Sequence, residues 1–261
     1  LFAGAGGLAM GASLEGFKHS AVIEWDSDSC ANIRANKRLG HKAIRHWPVM
    51  QADVRTVDFQ KWEDKVDFVS GGPPCQPFSI GGKHGGNMDD RNMFPEAVRA
   101  VREIRPKAFV FENVKGLLRE SFASYYSYII LQLTYPTVSR LKSERWEDHL
   151  SRLERLHTGG ARVDLSYRVT FRLLNAADYG VPQKRERTFI VGIRSDLDRQ
   201  WSFPDPTHSR EALLDSKWGT GDYWRRHGIS RREVARFRVA ASGQRLPQAK
   251  SPTLPWRTVR D

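Results

Sequence analysis

Cysteine is scarce in this sequence: Cys30 and Cys75 are the only two among 261 residues. They stand far apart with no histidine at metal-ligand spacing, which excludes a disulfide framework and leaves a zinc site without support. No apolar run approaches the roughly 20 residues that a bilayer crossing needs, so a membrane protein is not expected. No signal peptide opens the chain, and a reducing, cytoplasmic setting is the expectation. Acidic residues are in deficit, 30 Asp and Glu against 42 Lys and Arg, for a net charge of +12. That sign suits a polyanionic partner such as nucleic acid better than it suits mere solubility. An initiating methionine is also lacking, and the apolar pair Leu1-Phe2 reads as the end of a strand that begins upstream.

What is present is an alternation. Runs rich in β-formers at Ser20–Trp25, Val66–Ser70, Ala108–Glu112, Tyr167–Leu174 and Arg187–Ile193 are expected as strands. Between them, helical spacing of apolar residues marks helices near Leu8–Leu14, Ser27–Leu39, Met93–Ile104 and Tyr126–Leu133. This is the pattern of an α/β fold, a mostly parallel sheet with helices on both faces. Residues 1–204 are read as one catalytic domain, with a charged amphipathic insertion at about 135–160 whose helix spans Lys142–Leu156. Residues 205–261 form a basic segment in which Arg225, Arg226, Arg231, Arg232, Arg236 and Arg238 crowd together. They read equally as a solvated helix face or as phosphate contacts.

Two glycine turns carry the chemistry. The first, Phe2-Ala3-Gly4-Ala5-Gly6-Gly7, sits where a strand turns into a helix, and such glycines let backbone approach a ligand. The G-x-G-x-x-G dinucleotide signature is not matched, which favours a nucleoside cofactor. Glu24 closes the next strand about 20 residues on, where an acid commonly takes ribose hydroxyls. Trp25 beside it can stack on a purine. Asp53 can accept from an adenine amino group, or it is a plain turn residue; spacing does not decide between these.

The second turn, Gly71-Gly72-Pro73-Pro74-Cys75-Gln76-Pro77-Phe78-Ser79, leaves a strand at the sheet edge where α/β proteins place reactive groups. A polar, glycine- and proline-rich turn is a poor niche for a structural cysteine, so Cys75 reads as a nucleophile and Cys30, in a helical stretch, as packing. The glycines from Gly81 to Gly86 make a loop able to close over a substrate, with Lys83 in it and His84 as a loop residue. The next strand ends at Phe111-Glu112-Asn113-Val114 and brings a carboxyl to the edge that carries Cys75. Further on, Gln183-Lys184-Arg185-Glu186-Arg187 brings guanidinium groups to a strand start, suited to a carbonyl oxygen or a phosphate.

Taken in order, F-x-G-x-G-G, P-P-C-Q-P-F-S, E-N-V and Q-x-R-x-R resemble the motifs of DNA cytosine-5 methyltransferases. The resemblance implies a Rossmann-like, S-adenosylmethionine-dependent fold with double-stranded DNA as partner and no resident metal. It implies that Cys75 attacks C6 of cytosine while Glu112 engages N3, with Arg187 on O2 and Arg185 in support. Phe2, Gly4, Gly6, Gly7, Glu24, Trp25, Asp53, Pro73 and Phe94 are implied on the cofactor side. Ser79, Lys83 and Arg91 are implied to touch DNA or brace the loop. The family continues into a target-recognition region absent before Asp261, so a fragment, or a half completed by a C-terminal segment or second subunit, is expected. A tRNA cytosine-5 methyltransferase shares most of these motifs but typically carries Cys-Phe-Thr, which is missing. A catalytically inactive regulatory relative is disfavoured by the retention of Cys75 and Glu112.

Overall fold

The computed structural model describes residues 1–74, 92–160, 162–240 and 252–261. The elements run α1 (Gly7–Leu14), β1 (Val22–Glu24), α2 (Ser27–Arg38), β2 (Val49–Gln51), β3 (Phe68–Gly71), α3 (Phe94–Ile104), β4 (Ala108–Val114), α4 (Ala123–Thr134), α5 (Trp146–Gly159), β5 (Tyr167–Asn175) and β6 (Glu186–Arg194). The chain is α/β, as its alternation predicts. Among the described residues these strands form two sheets rather than one: a parallel pair β1-β2, and β3-β4-β6-β5 in which β3 and β4 are parallel. Residues Leu1–Ala3 reach both, since the Leu1 nitrogen donates to the Ser70 carbonyl at 2.7 Å and Ala3 N–H to that of Ile23 at 3.2 Å.

Two compact units are distinguishable, one of residues 1–172 and 188–202, the other of 173–187 and 203–261. In the first, α3 carries Phe94, Ala97, Val98, Val101 and Ile104 at helical spacing, and all five are buried. Proline in its first turn fits a helix start, where the missing N–H is not needed. The α3 face packs in a core with Phe109 and Phe111, which alternate along β4 and are fully buried; each contributes about 1.5–3 kcal/mol by burial. Close packing leaves no room for a Cβ at Gly192 in β6, which would overlap the Phe109 ring.

Helix α5 begins at Trp146, four residues later than the charge pattern suggests, and is not simply exposed. His149, Leu150 and Leu153 are buried, and His149, at 0% exposure, lies 2.8 Å from the Tyr128 hydroxyl of α4 and 2.9 Å from the Val138 carbonyl.

The second unit adds β7 (His208–Ser209), α6 (Arg210–Leu214), α7 (Asp222–Arg226), α8 (Arg231–Ala240) and β8 (Leu254–Pro255), with β7 and β8 parallel. Leu214, Tyr223 and Trp224 are buried in it, and the Trp224 ring stacks on Phe237. Among the described residues no helix is long and apolar enough to cross a membrane.

Candidate active site

The first glycine turn is held in an unusual backbone. Phe2, Gly4 and Gly6 all have positive φ, at 52°, 52° and 91°. Glycine adopts this region freely; for Phe2 it costs on the order of 1–3 kcal/mol, strain of the kind that gathers at ligand sites. Gly6 is required twice over, because a Cβ there would also lie 2.7 Å from the Trp47 ring.

Glu24, at the end of β1, ties the turn to the sheet. Its carboxylate accepts from Gly4 N–H at 2.7 Å on one oxygen and from Trp25 and Asp26 N–H, both at 2.9 Å, on the other. Only 7% of the residue is exposed. A carboxylate has about four acceptor sites, so these three donors leave one. Trp25, by contrast, is 68% exposed and presents a large apolar surface.

A cavity of about 570 Å3 gathers Phe2, Gly4, Glu24, Trp25 and Asp53 into its wall. Asp53 stands two residues past the end of β2, so two strand ends present acids to one space. Sequence reasoning gave no site role to other residues of that wall, Arg55 and Met93 among them. The remaining residues expected here stand behind the lining. Gly6 and Gly7 open α1. Pro73 accepts from the Asn113 side chain. Phe94 is buried in the core, with its N–H donating to Asn92 Oδ1.

On the reactive side, the parallel register pairs Gly71 with Phe111, so β3 and β4 end at the same edge. Glu112 Oε2 lies 3.5 Å from where a Gly72 Cβ would stand. Asn113, buried at the end of β4, donates to the Pro73 carbonyl at 3.0 Å, and Met93 N–H donates to that of Pro74 at 3.1 Å. The stem of the second glycine turn is thereby pinned beside Glu112. Cys75, Ser79, Lys83 and Arg91 lie outside the described residues. Cys30 is fully buried in α2, its thiol 3.5 Å from the Glu24 carbonyl, and burial raises its pKa, so it has none of the character of a nucleophile.

Arg185 and Arg187 belong to the second unit. There Asn175 Oδ1 accepts from Arg185 N–H at 3.1 Å, and Arg187 Nη1 donates to the Glu186 carbonyl at 2.8 Å. In the arginine-rich run, Arg225 pairs with Asp222 and Arg226 with Asp261, while Arg231, Arg232 and Arg236 are exposed on α8. The Arg238 side chain is outside the described set.

A family model, C-5 cytosine-specific DNA methylase, matches residues 1–135 and 155–226. The chain belongs to that family. Type II methyltransferase M.NgoMIV of Neisseria gonorrhoeae is 33% identical over 232 residues, covering 85% of this chain and 62% of the relative. Type II methyltransferase M.AquIA of Picosynechococcus is 36% identical over 216 residues, covering 80% of this chain and 75% of the relative. The chain thus spans between about six-tenths and three-quarters of the length of these two curated relatives. A solved Escherichia coli prophage protein, assigned as a DNA modification methyltransferase, shares the fold with a TM-score of 0.52 at 24% identity, over 81% of this chain and 52% of its own. All the cavity residues lie in the first matched segment. Residues 136–154, which the family model leaves unmatched, run from the turn after α4 into α5.

Proposed function

We propose that this chain is the catalytic core of a DNA cytosine-5 methyltransferase that takes S-adenosylmethionine into the Glu24–Asp53 cavity and uses Cys75 as covalent nucleophile. One observation carries the reading: a single cavity gathers both strand-end acids, the strained turn and an exposed indole, and its wall continues through Gly72 and Pro74 into the turn that leads to Cys75. The volume falls within the roughly 300–1,000 Å3 of small-molecule sites. The donor set also suits a nucleoside: Glu24 has one acceptor site left for a ribose hydroxyl, Asp53 can accept from an adenine amino group, and Trp25 offers a face for stacking. Gly6, Gly7, Pro73 and Phe94 shape this side from behind. When bound, the cofactor supplies an electrophilic methyl group on sulfonium.

The chain's own residues do the rest. A cytosine leaves the duplex, at a cost of a few kcal/mol of unstacking. The Cys75 thiolate adds to C6, and Glu112 engages N3, so that electron density reaches C5. Arg187 is assigned to the cytosine O2 and Arg185 a supporting role; Ser79, Lys83 and Arg91 are assigned to DNA or to the loop. Once C5 carries the methyl group, a base removes the C5 proton, the C6–S bond breaks, and the thiolate and aromatic ring are restored. Residues 1–204 form this core in our reading, and 205–261 a basic segment on the DNA side, with the net charge of +12 favouring phosphate.

DNA in which 5-fluorocytosine replaces cytosine blocks the last step, because fluorine cannot leave as a proton does. With S-adenosylmethionine present, it should give an adduct stable to denaturation, located on Cys75 by mass spectrometry and lost in Cys75→Ala. An adduct on Cys30, or methyl transfer by Cys75→Ala, overturns the assignment.

A further inference from the structure

The cavity wall contains a charged side chain outside the residues assigned so far, Arg55. It grips Asp53: Arg55 Nε lies 3.1 and 3.0 Å from the two carboxylate oxygens, Nη2 is 2.6 Å from Oδ2, and the Arg55 backbone N–H is 3.0 Å from Oδ1. The two side chains are 51% and 30% exposed, so as an ion pair they add little to stability. Their effect lies in geometry. A planar fork on a carboxylate, with a backbone N–H on the same group, removes the freedom of the Asp53 side chain to turn. Three N–H donors make four contacts, two on each oxygen with Nε shared between them, so the carboxylate is held in one orientation toward any ligand. The guanidinium also holds the Asp53 carboxyl below the usual carboxylate range, so the acceptor stays ionised.

We propose that Arg55 is a positioning residue for cofactor selectivity: by locking Asp53 it makes the cavity accept a purine with a 6-amino donor and reject one with a 6-oxo acceptor. This rests on the cofactor reading above. A 6-oxo group turned toward a fixed carboxylate sets acceptor against acceptor, whereas a mobile carboxylate can turn away from it.

Calorimetric affinities of the chain for S-adenosylhomocysteine and S-inosylhomocysteine test the proposal. The wild type should prefer the adenine form. Arg55→Ala should reduce that preference by about threefold to tenfold, the worth of one well-placed hydrogen bond. Arg55→Lys keeps the charge without the fork and should recover only part. Asp53→Asn should abolish the preference, and adding Arg55→Ala to it should change nothing further. If Arg55→Ala weakens both probes equally, or neither, while Asp53→Asn removes the preference, Arg55 does not position the acceptor. If Glu24→Ala and Asp53→Asn both leave the two affinities unchanged, the cavity is not the cofactor site and both readings fall.

Discussion

Glu24 joins the strand β1 to the glycine turn, and replacing it separates two roles that one carboxylate performs. In Glu24→Ala the N–H groups of Gly4, Trp25 and Asp26 lose acceptors now at 2.7, 2.9 and 2.9 Å. Bonds to a charged partner contribute about 1.5–3 kcal/mol each. Water can enter the neighbouring cavity and replace part of this, so a net loss of about 2–4 kcal/mol is expected. A domain holds about 5–15 kcal/mol in all, so the variant should fold but unfold at clearly lower urea. In Glu24→Gln the amide loses least by turning its NH2 toward Gly4, which leaves one donor facing another and costs about 1–3 kcal/mol. Stability should therefore fall in steps from Glu to Gln to Ala. Affinity for S-adenosylhomocysteine should not follow those steps. In the Gln variant the surviving oxygen is already used by Trp25 and Asp26, so both variants should lose about 1–3 kcal/mol of binding, the worth of a hydrogen bond to a charged acceptor. Urea titration and calorimetry on the same preparations separate the two effects. If Glu24→Gln binds as tightly as wild type while Glu24→Ala stays within about 0.5 kcal/mol in stability, the carboxylate neither holds the turn nor meets the ligand.

Asn113→Ala frees the Pro73 carbonyl and loosens the stem leading to Cys75; formation of the 5-fluorocytosine adduct should slow about tenfold or more while S-adenosylhomocysteine affinity stays within about twofold, and equal losses in both would refute a role confined to the reactive side. His149 is a pH-dependent element, because burial holds its imidazole below the usual range. The unfolded chain then takes up a proton near pH 6.5 that the folded chain refuses, so stability is whole above that pH and declines as pH falls below it, by about 1.4 kcal/mol per unit at most. Burial of His19 acts in the same direction. Urea midpoints between pH 5 and 8 should show this slope, and it should shrink in His149→Gln; an unchanged slope would place the titration elsewhere.

Which parts of this architecture are legible in the chain follows from how local their causes are. Helix α3 shows because five apolar residues recur at its period, and β4 because Phe109 and Phe111 alternate with less buried neighbours. Strand β2 does not show: Val49–Gln51 is three residues long, begins straight after a proline, and is strand only because it pairs with β1. Missing it conceals Arg55, since without a strand end before Asp53 nothing marks the next two residues as cavity wall. The acids themselves were legible, Glu24 by its distance from the glycine turn and Asp53 as one of two open readings. The strain at Phe2 was not, because no local rule sends a phenylalanine to positive φ. The late start of α5 is of the same kind, since the buried His149 is specified by Tyr128 and Val138, residues of other elements.

A common device runs through the cofactor side. Glu24 is held by backbone N–H groups of its own turn and of Gly4, Asp53 by the backbone and guanidinium of Arg55, and each is thereby fixed in orientation. An acceptor that has already surrendered its rotational freedom on folding does not pay that entropy again when a ligand arrives. It also stays aimed, so a ligand with a donor elsewhere gains nothing from it. On this argument affinity and selectivity in the cavity come less from the acids than from the N–H groups that fix them. The substitutions that matter most for recognition then include residues such as Arg55 that need not touch the ligand.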